Sequence, residues 1–217
     1  VKAGLDENKC KPVILVPNAL FQNQIHFLPE GEQKKNSVVF AGTFGIENGT
    51  KLALDAFALV VKKIPDATLH FYGGDKVLED ALKKHATVLQ IEKCVLFHGF
   101  ITDAVKLSTT INQYKIGLAP YVAIPGSARF YADATKIRLY FGAGLPAITT
   151  HVPPLGIEVE KKGAGVVIQD NPKDLADAIV TLLTDTKKYT ATRKKAIAYA
   201  KNNTWEMLHP ALYPGER

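Results

Sequence analysis

Sulfur is scarce in this chain. Two cysteines, Cys10 and Cys94, are too few for a disulfide scaffold, and neither sits at a metal-ligand spacing. Such usage fits a reducing compartment. The only methionine is Met207 and the first residue is Val1, so we expect a piece cut from a longer protein. No apolar run approaches the length of a membrane-spanning helix, and no signal-peptide pattern opens the chain. A cytoplasmic setting is the expectation. No Gly-x-Ser-x-Gly elbow is present, which removes the common hydrolase reading. No Gly-Lys-Ser/Thr loop is present, which removes the P-loop. No Asp-x-Asp pair is present to hold a metal. Neither a metal nor a cofactor is expected.

Positive charge is plentiful. The 217 residues carry 27 Lys and Arg against 21 Asp and Glu, a formal net charge of +6. Lysine doublets recur at Lys34-Lys35, Lys62-Lys63, Lys83-Lys84, Lys161-Lys162, Lys187-Lys188 and Lys194-Lys195. They are dispersed and not interleaved with aromatics, which argues against nucleic acid. They read as solvated helix ends and faces. The functional counterpart is attraction to an anion, either a nucleotide or the inner membrane leaflet.

Short runs rich in Val, Ile and Phe alternate with helical patterns. Strands are expected at residues 37–43, 67–73, 94–100, 115–122, 145–150 and 165–169. Ala53, Phe57, Val60 and Ile64 follow the first at helical spacing, with Pro65 as the stop. Leu78, Leu82, His85 and Leu89 follow the second. Asp103 is a cap candidate for the helix after the third. Asn171 with Pro172 opens the helix after the sixth. Strands apolar on both faces, alternating with amphipathic helices, predict a doubly wound, parallel α/β sheet of Rossmann type. Ligands of such sheets sit outside the carboxyl ends of the strands.

Residues 1–36 fall outside the alternation and read as a linker and the tail of a preceding domain. Residues 37–186 form the expected Rossmann-like domain. Residues 187–217 read as terminal helices, and Trp205 there fits either a docking surface or a local core. The loop Ala41 to Gly49 is glycine-rich, which lets backbone amides approach a phosphate. Asp133 is expected to cap the helix that places Lys136 in its first turn. A lysine there opposes the helix dipole unless an anion sits between. His70, His98 and His151 lie near strand ends with no metal spacing. Tyr121, Phe130 and Tyr131 flank a loop and are candidates to stack on a base or sugar.

These segments together resemble the carboxyl-terminal half of a retaining glycosyltransferase of the GT-B fold, group 1 family. Val16-Pro17-Asn18-Ala19 is similar to the family's linker motif. Phe40-Ala41-Gly42-Thr43 with Gly49 is similar to its first strand and loop. Phe97-His98-Gly99-Phe100 and Ile116 to Pro120 resemble later strands. Lys136 to Tyr140 followed by Gly144-Leu145-Pro146 resembles the donor-site helix. Thr204-Trp205-Glu206 resembles the terminal motif whose helix crosses back toward the amino-terminal domain.

The resemblance implies a nucleotide-diphosphate sugar as donor and a glycan or lipid-linked acceptor, in polysaccharide biosynthesis. It implies a missing amino-terminal domain, without which this piece transfers nothing; the basic charge adds peripheral contact with the membrane to the expected partners. It implies substrate contacts from Gly42, Thr43, Gly45, Asn48, His98, Gly99, Tyr121, Tyr131, Asp133, Thr135, Lys136, Ile137 and Leu139, and assigns no catalytic residue. Thr43 and Asn48 stand where the family has Arg and Lys, and Tyr131 and Leu139 where it has glutamates. Lys136 is then the basic side chain expected in the pocket. A nucleotide-sugar epimerase and a non-catalytic nucleotide-binding scaffold are the rival readings.

Overall fold

A computed structural model describes residues 17–212. The strand-like run expected at 12–16 lies outside them, as does Val16 of the linker motif. Six parallel strands form one sheet: β1 (Ser37–Ala41), β2 (Thr68–Tyr72), β3 (Val95–Phe97), β4 (Ile116–Ala119), β5 (Ala147–Thr150) and β6 (Gly165–Ile168). Their order is β3-β2-β1-β4-β5-β6. The expected doubly wound fold is what the chain adopts. The strands are shorter than the sequence implies: β2, β3 and β4 at both ends, β1 and β6 only at the carboxyl end, and β5 only at the amino end. β3 stops at Phe97 because Gly99 turns the chain at φ +74°.

The connecting helices are α1 (Thr50–Lys63), α2 (Lys76–Val88), α3 (Ala104–Ile111), α4 (Thr135–Gly142), α5 (Pro154–Lys162) and α6 (Pro172–Thr184). Helices α7 (Thr186–Lys201) and α8 (Trp205–Leu212) follow. Every residue of β1 is buried, because successive side chains serve opposite layers. Val38 and Phe40 join Phe57, Leu54, Leu82 and Ile179 under α1, α2 and α6. Val39 and Ala41 join Ile111, Ile137, Phe141, Val159 and Ala196 under α3, α4, α5 and α7. Each fully buried aliphatic or aromatic side chain contributes about 2–3 kcal/mol. Asp103 and Asn171 cap α3 and α6 as their positions imply.

At the centre, the sheet reverses its winding. β1 and β4 pair only at Val38–Ile116 and Val39–Gly117, then part. Tyr140 bridges the gap. Its hydroxyl donates to the Leu118 carbonyl at 2.8 Å and accepts from the Ala41 amide at 2.8 Å. The ring reaches this position because residue 117 is glycine: a Cβ there would lie 2.3 Å from Tyr140 Cγ. One buried phenol thus satisfies two backbone groups that the splayed strands would leave unpaired.

The described residues before β1 pack on the same layer. The His26 amide donates to the Gly142 carbonyl at 2.9 Å, and Ser108 Oγ donates to the Gln24 carbonyl at 2.7 Å. Leu20 pairs with Thr204 in a single parallel bridge, and the Trp205 amide donates to the Leu20 carbonyl at 2.9 Å. The segments around Leu20 and Thr204 therefore meet beside α4. Among the described residues, no helix is long and apolar enough to cross a membrane.

Candidate functional site

The parting of β1 and β4 opens a cleft of about 550 Å³ at the carboxyl edge of the sheet. Such a switch point is where doubly wound sheets bind ligands. Its polar wall comes from Gly42, Thr43 and Asn48 after β1, from Tyr121 and Arg129 after β4, and from Thr135 and Lys136 of α4. Its apolar wall comes from Phe100, Ile101, Ala104 and Leu107 near α3, with Leu139, Leu20 and Trp205 closing it.

Lys136 forms the floor. It occupies the first turn of α4, whose N-cap, Ala134, offers no side-chain cap. The residue is only 9% exposed. Its Nζ donates to Asn48 Oδ1 at 3.2 Å. It lies 4.3 Å from the centre of the Phe40 ring and 4.9 Å from that of Tyr121. Asn48 is oriented by its own Nδ2, which donates to Thr43 Oγ1 at 3.1 Å. Among the described residues, no carboxylate pairs with this ammonium. Burial, followed by the nearby Arg129 guanidinium, lowers its pKa from 10.5 to about 7. Gly42 completes the cradle at φ +143°, where a Cβ would come within 3.2 Å of Lys136 Cε.

Asp133 does not cap α4, contrary to expectation. Its carboxylate accepts from Arg138 Nε and Nη2, both at 3.2 Å, and from the Asn18 amide at 2.7 Å. Arg138 is buried and needs a counter-charge more than the helix end needs a cap. Its Nη1 also donates to the Tyr199 hydroxyl at 3.0 Å, tying α4 to α7. The start of α4 is thereby left without a side chain over its amides, and it faces the cleft.

Eight of the thirteen expected contact residues line this cleft: Gly42, Thr43, Asn48, Tyr121, Asp133, Thr135, Lys136 and Leu139. Five stand outside its walls. Gly45 supports the start of α1 through Thr50. Ile137 is wholly buried in the core. Tyr131 is 76% exposed to solvent. The Gly99 carbonyl accepts from the Gly73 amide at 2.7 Å. The His98 ring stacks on Tyr72 and meets His70 Nδ1 at 2.9 Å. Burial lowers the pKa of His70 to about 4, with His98 and Lys34 adding to the shift. Trp205 is half-buried near Leu20 at the cleft's edge.

Arg129 corrects the expectation that Lys136 is the sole basic group in the pocket. It sits on a short 3-10 turn, Ala128–Phe130, whose start is capped by Ser127. The composition of the loop Ala123 to Ala134 gave no sign of which way it folds. Among the described residues, no group of three or more His, Cys, Asp or Glu side chains could hold a metal ion.

Residues 35–185 match the family model of the glycosyl transferases group 1. A comparison with functionally characterised protein sequences found no match. Solved structures share the fold. The C-terminal domain of the glycosyl transferase group 1 protein LpcC from Francisella tularensis aligns at 16% identity and a TM-score of 0.69. The alignment covers 83% of this chain and 96% of that one. Anabaena Alr3699/HepE, solved with UDP-glucose, aligns at 19% identity and a TM-score of 0.73, covering 91% and 56%. TarM from S. aureus, solved with UDP, aligns at 18% and 0.71, covering 96% and 40%. The chain thus spans about half the length, or less, of the HepE and TarM chains. By its family match and its fold, the chain belongs to the glycosyl transferases of group 1, as a GT-B-type Rossmann-like domain.

Proposed function

We propose that this chain is the nucleotide-sugar-binding half of a glycosyltransferase that moves a sugar from a nucleotide-diphosphate donor to a glycan or lipid-linked acceptor. One observation carries the reading. Lys136 is a buried ammonium with no carboxylate partner among the described residues, at the switch point of the sheet and the uncapped start of a helix. Burying an unpaired charge is costly, and a phosphate group offsets that cost with charge-assisted hydrogen bonds. The Lys136 ammonium and the helix dipole at the start of α4 act on the same anion, while the Thr135 and Ile137 amides there are bonded to the Asp133 and Ala134 carbonyls. As a diphosphate leaves the sugar, the ammonium and the dipole balance the charge that develops on it.

The apolar wall suits a flat base or ribose. UDP and UDP-glucose in the HepE and TarM structures are consistent with this class of ligand. The acceptor site and any general base belong to a further domain, so this chain by itself binds donor and transfers nothing. Residues 17–36 and the helices after 186 serve as the joint to that domain. We place the enzyme in the cytoplasm, with peripheral contact at the inner membrane face. An epimerase is not favoured. It needs acid or imidazole groups around the sugar, and the one carboxylate in the cleft, Asp133, is committed to Arg138.

Calorimetric titration of uridine and guanosine diphosphates tests the reading. One of them is expected to bind, and Lys136→Ala to weaken it by about 1–3 kcal/mol. Equal affinity in the variant would remove Lys136 from the site. Absence of binding by either nucleotide would overturn the nucleotide-binding reading.

A further inference from the structure

Two side chains lining the cleft are cationic, Lys136 and Arg129, and one is acidic, Asp133, already paired with Arg138. The two cations share one aromatic plate. Lys136 Nζ lies 4.9 Å from the Tyr121 ring centre, and Arg129 Cζ lies 5.8 Å from it. The Arg129 charge acts on Lys136 as a repulsion, and an anion held by both turns that repulsion into attraction.

The two differ in kind. Lys136 is a point charge fixed at the floor. Arg129 stands at the rim with its side chain 34% exposed. Among the described residues its ion-pair partner is Glu47, at a loose 3.7 Å. Glu47 is itself held to the same loop, since its carbonyl accepts from the Val122 amide at 3.2 Å. To the cleft walls the glycine loop offers the neutral side chains Thr43 and Asn48, while its Glu47 pairs with Arg129. A guanidinium fork grips two oxygens at once, which an ammonium does not.

We infer that Arg129 is a second anchor, which leaves Glu47 and closes on the outer phosphate while Lys136 holds the inner one, so that the cleft selects a diphosphate over a monophosphate. This rests on the nucleotide-binding reading above and adds a specificity-determining residue to it.

The test is calorimetry with uridine and guanosine 5′-diphosphates and the matching monophosphates, on the chain, R129A and R129Q. Melting curves check the fold, and R129Q keeps most of the side-chain bulk. The unaltered chain is expected to bind its diphosphate at least about tenfold tighter than the monophosphate. Both variants are expected to weaken the diphosphate about tenfold and the monophosphate less than about threefold, so the preference collapses. If the variants weaken both nucleotides alike, or neither, the second anchor is wrong and the Lys136 site stands. If none of the four nucleotides binds the unaltered chain, the site reading falls and the inference falls with it.

Discussion

Lys136 makes donor binding depend on pH in a way that can be worked out beforehand. In the empty cleft, burial holds its pKa at about 7, below the ordinary 10.5. At pH 8 about nine lysines in ten are therefore neutral. A bound diphosphate favours the ammonium and raises that pKa. Binding at pH 8 must then take up close to one proton, about 0.9 per ligand. Affinity falls as pH rises above 7, approaching about tenfold per unit until the pKa of the bound lysine is reached. The ligand's own second phosphate ionisation lies near about 6 and is complete by then. Calorimetry at pH 8 in buffers of different ionisation enthalpy reads the proton count as a slope. Lys136→Met is expected to abolish that slope in whatever binding remains. A slope of zero in the unaltered chain, or the same slope in Lys136→Met, would refute the argument.

Three further outcomes follow from the same geometry. The folded-state pKa of Lys136 lies below its unfolded value, so its cost to stability is full below about pH 7 and fades as pH rises toward 10.5. Lys136→Met should melt higher than the unaltered chain at pH 6.5, with a gap that narrows by pH 9. Gly42→Ala sets a Cβ within 3.2 Å of Lys136 Cε at a positive φ, so it should weaken diphosphate binding at least about tenfold in calorimetry, with a stability loss of about 1–2 kcal/mol. Tyr140→Phe leaves the Ala41 amide and the Leu118 carbonyl without their shared hydroxyl and should cost about 1–3 kcal/mol in urea unfolding.

The fold was legible because its signals are local. Asn171-Pro172 and Asp103 mark helix starts by their own chemistry, and the run around Val38 is apolar on both faces. The helix α5 carried signals that went unused, Pro154 at its first position and Gly163 just past its end. What was not legible depends on long-range competition. Asp133 reads as a cap until the buried Arg138 claims it across five residues and Asn18 across 115. Arg129 reads as a loop residue until Tyr121 and Glu47 bring it to the cleft that Lys136 lines. His98 and Gly99 sit in the expected segment, yet the hydrogen bond to His70 and the tie to Gly73 keep them out of the cleft walls. Lys136 itself was visible only as a lysine at a helix start. Its burial comes from Phe40, Tyr121 and Asn48, on segments that only the tertiary fold brings together.

The most direct measurement is a titration of the 15N-labelled chain with uridine and guanosine diphosphates, followed amide by amide. The account predicts saturable shifts confined to Gly42–Asn48, Tyr121, Arg129 and Thr135–Lys136, reduced or abolished in Lys136→Ala. Shifts centred on the separate cleft around His151, Glu160 and Lys188, or saturable shifts unchanged in Lys136→Ala, would contradict it.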